Sequence, residues 1–291
     1  MVAFWHPSAP SILIDAYLNQ TIMIETNEQA VANPDKILTV TAHVFKEVIM
    51  TIPDLTIIVP TYNLGRYLPA TLKSIQQQSI DVELWLIDDA STDETAETAA
   101  AFVNGIPNYH ATVFSHHQGI GAARNFGIDH ATGRFLAFVD GDDLIAPTFA
   151  ATLLRGFTPG VVATAVGYDW WQRTRGGPDQ FQLLSQAAMF EQVSHHGTEI
   201  GGYIWNKAFP RASLNAGHIR YDERLQIAED YYFTADFVAH TPGMYAYNPT
   251  ILYTKVNRPD STMHRFSPAD RRQETRIFER IHELKKLIQP D

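Results

Sequence analysis

From Leu55 to Val139 short apolar runs alternate with stretches whose apolar residues fall three or four positions apart, and that rhythm sets the elements. Leu55-Thr56-Ile57-Ile58-Val59 is rich in β-branched residues and predicts a strand that stops at Pro60, which cannot donate to a central ladder. Between Leu64 and Gln78, the positions Leu64, Tyr67, Leu68, Leu72 and Ile75 form the stripe of an amphipathic helix. Val82–Ile87 predicts a second strand. Ser91 or Thr92 can cap a helix over Asp93–Phe102, with acidic residues in its first turn. Tyr109–Phe114 predicts a third strand, and Ala122–His130 a short helix stopped by Gly133. Phe135–Val139 is a fourth strand of nearly unbroken apolar character, as expected where helices cover both faces of a sheet. Strand and helix in this alternation predict an α/β fold with a mostly parallel sheet and right-handed crossovers.

The second half is less regular. Val161–Tyr168 reads as a strand, and Arg173–Asp179, with its Gly-Gly-Pro, as a turn or mobile loop. Gln180–Phe190 fits either element. Ala228–Ala239 predicts a helix, Met244–Tyr253 one or two strands, and Pro268–Ile288 a charged C-terminal helix. Residues 1–53 stand outside the alternation: Ile12–Thr26 and Ile37–Thr51 fit a strand pair or a strand with a helix. The chain shows no internal repeat.

Composition narrows the function. The 291 residues suit one large α/β domain or two smaller units, and 45% hydrophobic residues supply a sizeable core. Lys plus Arg number 22 against 32 Asp plus Glu, a net charge of −10. That balance argues against general nucleic-acid binding, which needs positive charge to displace phosphate counterions. Cys is absent, which removes disulfide scaffolds, thiolate zinc sites and Cys nucleophiles. No run approaches the ~20 apolar residues of a membrane span, and the start lacks the form of a secretory signal, so a cytoplasmic location is expected. Peripheral membrane association and self-association stay open. The pairs His116/His117 and His195/His196 are isolated and read as loop histidines.

In an open parallel sheet, ligands bind beyond the carboxyl ends of the strands. Strand one ends in Pro60-Thr61-Tyr62-Asn63, strand two in Asp88-Asp89-Ala90-Ser91, and strand four in Asp140-Gly141-Asp142-Asp143. Three strand ends thus bring acidic or aromatic groups to one edge. Asp140 and Asp142, separated by a glycine that leaves room for a ligand, form a hard-oxygen site suited to Mg²⁺ or Mn²⁺. One such Asp-x-Asp is also a common solvated turn.

The ordered set of motifs resembles the inverting glycosyltransferases of the GT-A fold, family 2 in particular. The matching segments are Ile57–Asn63, Leu86–Asp93, Gly121–Gly127, Gly133–Asp143, Trp205-Asn206-Lys207 and Ile227–Asp230, and the likeness covers Leu55 to Phe266. The resemblance implies a catalytic domain over residues 54–266, with a nucleotide-binding half (54–145) and a smaller, mixed acceptor-side half (146–266). Residues 267–291 form a C-terminal helix, and residues 1–53 an extension that departs from the family. It further implies a donor site of Pro60, Thr61, Tyr62, Asn63, Asp89, Arg124, Asp140 and Gly141. Tyr62 would stack on the base, and Asp89 would accept its N–H, usually that of uracil, favouring a UDP-sugar. Asp142, with Asp140, would hold Mn²⁺ or Mg²⁺, and His264 would be a third metal ligand or a phosphate contact. Asp230, beside Glu229, matches the catalytic base. Trp205 would wall the acceptor sugar. Plain structural readings compete: Tyr62 or Trp205 as core aromatics, Asp88 as a turn cap, Glu229-Asp230 as an acidic helix start, and His264 as a surface histidine.

The implied activity is inverting transfer of a hexosyl or N-acetylhexosaminyl group to a glycan or lipid-linked acceptor, with polysaccharide biosynthesis the family-level expectation. Two alternatives stand beside it. One is a nucleotide-sugar-binding protein of the same fold without catalysis; the other is a glycosidase with paired carboxylates. Gly119-Ile120-Gly121 lacks the third spaced glycine of a dinucleotide-binding loop, because Arg124 falls there, and it follows the third strand rather than the first. The segment after strand one is not the Gly-rich, Arg-containing loop of a nucleotidyltransferase.

Overall fold

The computed structural model describes residues 53–170, 176–257 and 267–288. The expectations for residues 1–52, and for Arg258–Phe266 with His264, lie outside the described residues. The first half alternates as the pattern predicts: β1 (Leu55–Thr61), α1 (Leu68–Gln76), β2 (Glu83–Asp88), α2 (Thr95–Val103), β3 (Tyr109–Val113), α3 (Ile120–His130) and β4 (Phe135–Phe138). The strands pair in parallel in the order β3-β2-β1-β4. All seven residues of β1 are buried, because helices cover both of its faces.

Three local readings are corrected. β1 runs through Pro60 to Thr61. The Ile58 carbonyl accepts from Val139 on the β4 side, so Pro60, two residues on, faces the same side. There the β1–β4 register has already ended at Ile58, and the missing N–H breaks no ladder bond. The first helix is shorter than its apolar stripe: a 3-10 turn over Gly65–Tyr67 precedes α1, with Leu64 buried ahead of it. Neither Ser91 nor Thr92 caps α2. Both are tied to the neighbouring strand end, and the Asp93 carboxylate accepts from Thr95 N instead.

The second half contributes β5 (Leu144–Ile145), α4 (Phe149–Arg155), β6 (Val161–Trp170), β7 (Gln182–Leu184), α5 (Gln186–Val193), β8 (Lys207–Pro210), α6 (Arg211–Ala216), α7 (Glu229–His240), β9 (Met244–Lys255) and α8 (Pro268–Leu284). The sheet continues β4-β8-β6-β9-β5, with β7 also on β9. β8 is antiparallel to both of its neighbours, so this half is mixed. The ambiguous Gln180–Phe190 stretch holds both a strand and a helix. Met244–Tyr253 belongs to one long strand whose last residue is Lys255.

Helix α3 lies hard against β1: a Cβ at Gly127 would meet Ile58 Cγ2 at 2.4 Å, so only glycine permits this approach. Helix α8 starts with a capping box between Ser267 and Asp270 and buries Ile277 and Ile281. No helix among the described residues is long and apolar enough to cross a membrane.

Candidate functional site

The carboxyl ends of β1 and β2 form one braced corner. Thr61 donates to Asp88 Oδ1 at 3.0 Å, and Asp88 also accepts from Ser91 N at 2.8 Å and Ser91 Oγ at 2.6 Å, so its carboxylate ties a turn. Asp89 N donates to Thr61 O, which continues the β1–β2 ladder one step past the strands. The Asp89 carboxylate accepts from Gln118 N at 2.6 Å and Gly119 N at 2.7 Å, pinning the start of α3, and it pairs with His117 Nδ1 at 2.8 Å. Tyr62 is not a core aromatic: it is 44% exposed, its ring 4.4 Å from the His117 ring. Pro60 and Thr61 are buried in the strand. Asn63, in left-handed backbone, accepts from Thr92 N at 2.8 Å. Of the donor residues expected here, Tyr62 and Asn63 present side chains outward.

Beyond β4, the acidic run is wired to two cations. Arg124, 2% exposed on α3, donates from one guanidinium nitrogen to Asp140 Oδ1 at 2.9 Å and from another to Glu229 Oε1 at 3.0 Å. Lys255, at the end of β9, donates to Asp140 Oδ2 at 2.8 Å and to Asp143 Oδ2 at 2.9 Å. Asp143 is fully buried and also accepts from Tyr253 Oη at 2.6 Å and Val256 N at 2.7 Å. The same Tyr253 hydroxyl accepts from Asp140 N at 3.1 Å. Burial alone would raise the Asp140 carboxyl, but Lys255 and Arg124 pull it down to about 2. Burial pushes Asp143 up to about 7 against the pull of Lys255.

Glu229 and Asp230 open α7, after Ala228 in left-handed backbone. Glu229 is spent on Arg124. Asp230 accepts from Tyr231 N at 2.8 Å, and burial, then the charge of Glu229, pushes it up to about 7 while Arg124 opposes. A carboxylate poised near neutrality, in the first turn of a helix, has the properties of a general base.

Asp140, Asp142 and Asp143 each offer a carboxylate oxygen within 4.8 Å of the others, and they are the one group of three or more potential ligands among the described residues. An all-oxygen set suits a hard divalent cation. Asp143 is a poor member, being buried and saturated by Tyr253, Lys255 and Val256. Asp142 and Asp140 remain the candidate pair for such an ion, Asp140 with each of its oxygens already accepting from a cation, Arg124 and Lys255.

Several expectations change. Arg124 does not face a donor, because its buried guanidinium joins Asp140 to Glu229. Gly141 does not open space for a ligand: a Cβ there would strike Leu64 Cδ1 at 2.4 Å, and its carbonyl accepts from Thr71 Oγ1. Trp205 is no acceptor wall. It is 2% exposed and stacked on Tyr203 at 4.9 Å and on Tyr253 at 4.4 Å, leaving no face for a sugar. Lys207 beside it is buried and donates to Gly201 O, Tyr203 O and Asn206 Oδ1, fixing that loop. The sequence reading missed Lys255 and Tyr253, took Asp143 only as part of the motif, and took His117 for an isolated loop residue. Position at a strand end was the only local signal for the first two.

The model of the family described as Glycosyl transferase family 2 matches residues 56–205. EpsH of Bacillus subtilis (strain 168), which carries a glycosyltransferase's name, is 28% identical over 200 residues, spanning 66% of this chain and 57% of that one. The chain thus spans less than two thirds of that relative's length. The S. aureus TarS 1-349 structure in complex with UDP-GlcNAc superposes with a TM-score of 0.63 at 22% identity, over 78% of this chain and 66% of that one. The mannosyltransferase PcManGT from Pyrobaculum calidifontis, in complex with GDP-Man and Mn²⁺, gives 0.55 at 18% identity, over 85% and 65%. At these identities the two structures share the fold.

Proposed function

Because the chain belongs to glycosyl transferase family 2, we propose that it moves a sugar from a nucleoside-diphosphate donor to a hydroxyl of a glycan or lipid-linked acceptor, with inversion at the anomeric carbon. One observation carries this reading. Residues from Asp140 and from Glu229-Asp230, about ninety positions apart in the chain, meet through Arg124, with 2.9 and 3.0 Å contacts. The strand end suited to a metal diphosphate and the helix start suited to a base belong to one cluster.

Each side chain then takes a task. The exposed Tyr62 ring, beside His117, offers a face to the base. Asp89 Oδ1 accepts one loop N–H and keeps a second lone pair for the N–H of a base, which is uracil N3–H in the UDP-sugar reading. TarS was solved with UDP-GlcNAc and the mannosyltransferase with GDP-Man, so the shared fold admits more than one base. Asp142 and Asp140 would hold Mn²⁺ or Mg²⁺, which supplies charge stabilisation to the departing diphosphate. Asp230 accepts the proton of the acceptor hydroxyl as that oxygen attacks the anomeric carbon, and the diphosphate leaves from the opposite face. Glu229 cannot share this work while Arg124 holds it. Arg124 instead fixes the base segment relative to the donor end, the kind of positioning on which catalysis depends.

The test is direct. UDP or UDP-GlcNAc with Mn²⁺ should raise the melting temperature of the wild-type protein more than either component alone, because ligands that bind only the native state stabilise it. Asp142→Ala should remove that rise and abolish transfer with the fold intact. Undiminished transfer by Asp142→Ala overturns the reading.

A further inference from the structure

The site's least expected member is Lys255. It is 16% exposed, and its ammonium lies 2.8 Å from Asp140 and 2.9 Å from Asp143. It therefore occupies two of the three carboxylates that converge after β4; burial alone would work against its charge, and the surrounding carboxylates hold it firmly charged. Its position is fixed from below by Tyr253, two residues earlier on the same face of β9, whose hydroxyl touches both Asp140 and Asp143. Val256, the next residue, donates its N–H to Asp143 Oδ1. One strand end thus delivers three residues to the acidic run, of which the charged one is more exposed than Tyr253.

We propose that Lys255 is a resident counter-cation that keeps the acidic cluster from taking up a divalent metal on its own, so that the metal binds tightly only together with the donor diphosphate. This rests on the reading of Asp142 and Asp140 as the metal-holding pair and extends it. Two partly desolvated ion pairs compensate Asp140 and Asp143, and an incoming cation must compete with an ammonium already hydrogen-bonded to both. Removing that ammonium leaves buried negative charge uncompensated, which is strongly unfavourable until another cation arrives. A diphosphate shifts the balance by adding its own anionic oxygens, which supply ligands the protein's carboxylates have given to Lys255. Lys255 touches no reacting atom in this scheme and is a positioning residue.

The experiment measures Mn²⁺ binding to the whole chain by calorimetry, alone and with saturating UDP, for the wild type, Lys255→Gln and Lys255→Met. In the wild type, UDP should tighten Mn²⁺ binding at least about tenfold, roughly 1.4 kcal/mol of coupling. In either variant, Mn²⁺ alone should bind at least tenfold tighter than to the wild type, and the UDP-dependent gain should shrink accordingly. A merely structural lysine would give the opposite sign, weaker binding on removal. Unchanged or weaker Mn²⁺ binding in the folded variants overturns the proposal. If neither variant folds, the wild type still decides, since equal Mn²⁺ affinity with and without UDP overturns it too. Failure of the wild type to bind UDP under any condition would instead overturn the functional reading beneath it.

Discussion

The two ends of the parallel half-sheet both bury carboxylates, and they treat them in opposite ways. At the amino end Glu83, on β2, is enclosed by Thr56 Oγ1, Thr132 N and Oγ1, Gly133 N and the Trp85 indole. Those hydrogen-bond donors are neutral, with the His110 imidazole nitrogen 3.7 Å from Glu83 Oε1 beside them. They lace β1, β2 and the turn into β4 together, and nothing about the cluster asks for a ligand. At the carboxyl end, among the described residues, Asp140, Asp143 and Glu229 are paired with the cations Arg124 and Lys255, and Asp142 and Asp230 lie in the same cluster. A carboxylate met mainly by neutral hydrogen-bond donors is a structural joint, whereas several acids sharing ion pairs with Arg124 and Lys255 form a charged cluster. Burial of an acid therefore says little by itself; the character and number of its donors separate structure from chemistry.

Substitutions at both ends put that contrast to the test. The largest effect is expected at Asp230. Asp230→Asn should lower the transfer rate by about a hundred- to ten-thousandfold, the usual contribution of a positioned base. The same change should raise the melting temperature near pH 7. The folded state holds the Asp230 proton up to about 7, while an unfolded aspartate releases it near its ordinary value. Between those points the native state binds more protons, so this residue's contribution to stability falls as pH rises. A cooler-melting Asn variant would contradict that sign. The wild-type rate should follow the same group, with kcat/KM falling about tenfold per pH unit well below 7 as Asp230 protonates; a flat profile down to pH 5 would count against it as the base.

At the amino end the expectation is reversed. Glu83→Gln should cost about 1–3 kcal/mol in urea unfolding, because donors arranged around a carboxylate lose part of their acceptor. Nucleotide affinity of the folded fraction should stay as in the wild type, and a marked loss would erase the contrast. The smallest effect belongs to Tyr62→Ala, which should weaken UDP binding by about 0.5–1.5 kcal/mol, the worth of one aromatic contact, leaving stability unchanged because the ring is exposed.

Much of this was legible in the chain. The first half's alternation, the strand-end motifs and the Glu229-Asp230 helix start all rest on local signals, which periodicity and turn chemistry record. What escaped was non-local. β8 is four residues, Lys-Ala-Phe-Pro, too short to show alternation, yet it sits between β4 and β6. Lys255 pairs with residues more than a hundred positions earlier, and no local pattern announces such a partner. Trp205 and Tyr62 illustrate a related blindness. Aromatic identity alone does not tell a buried ring from an exposed one, and here the two fell on opposite sides. Gly141 shows that a glycine between acidic residues can be dictated by a methyl group packed against it, here that of Leu64.

Strand β9 carries one more consequence. Val166 pairs with Asn248 and Tyr168 with Tyr253, so β9 spends five residues where β6 spends two, and Pro249 lies within the excess. The surplus is a bulge held in place, its Pro249 carbonyl accepting from Gly177 N at 2.9 Å, and the pairing of Tyr168 with Tyr253 and of Trp170 with Lys255 is set anew beyond it. The register of β9 before the bulge is thereby separate from that of its tip, where Tyr253 and Lys255 meet the acidic run.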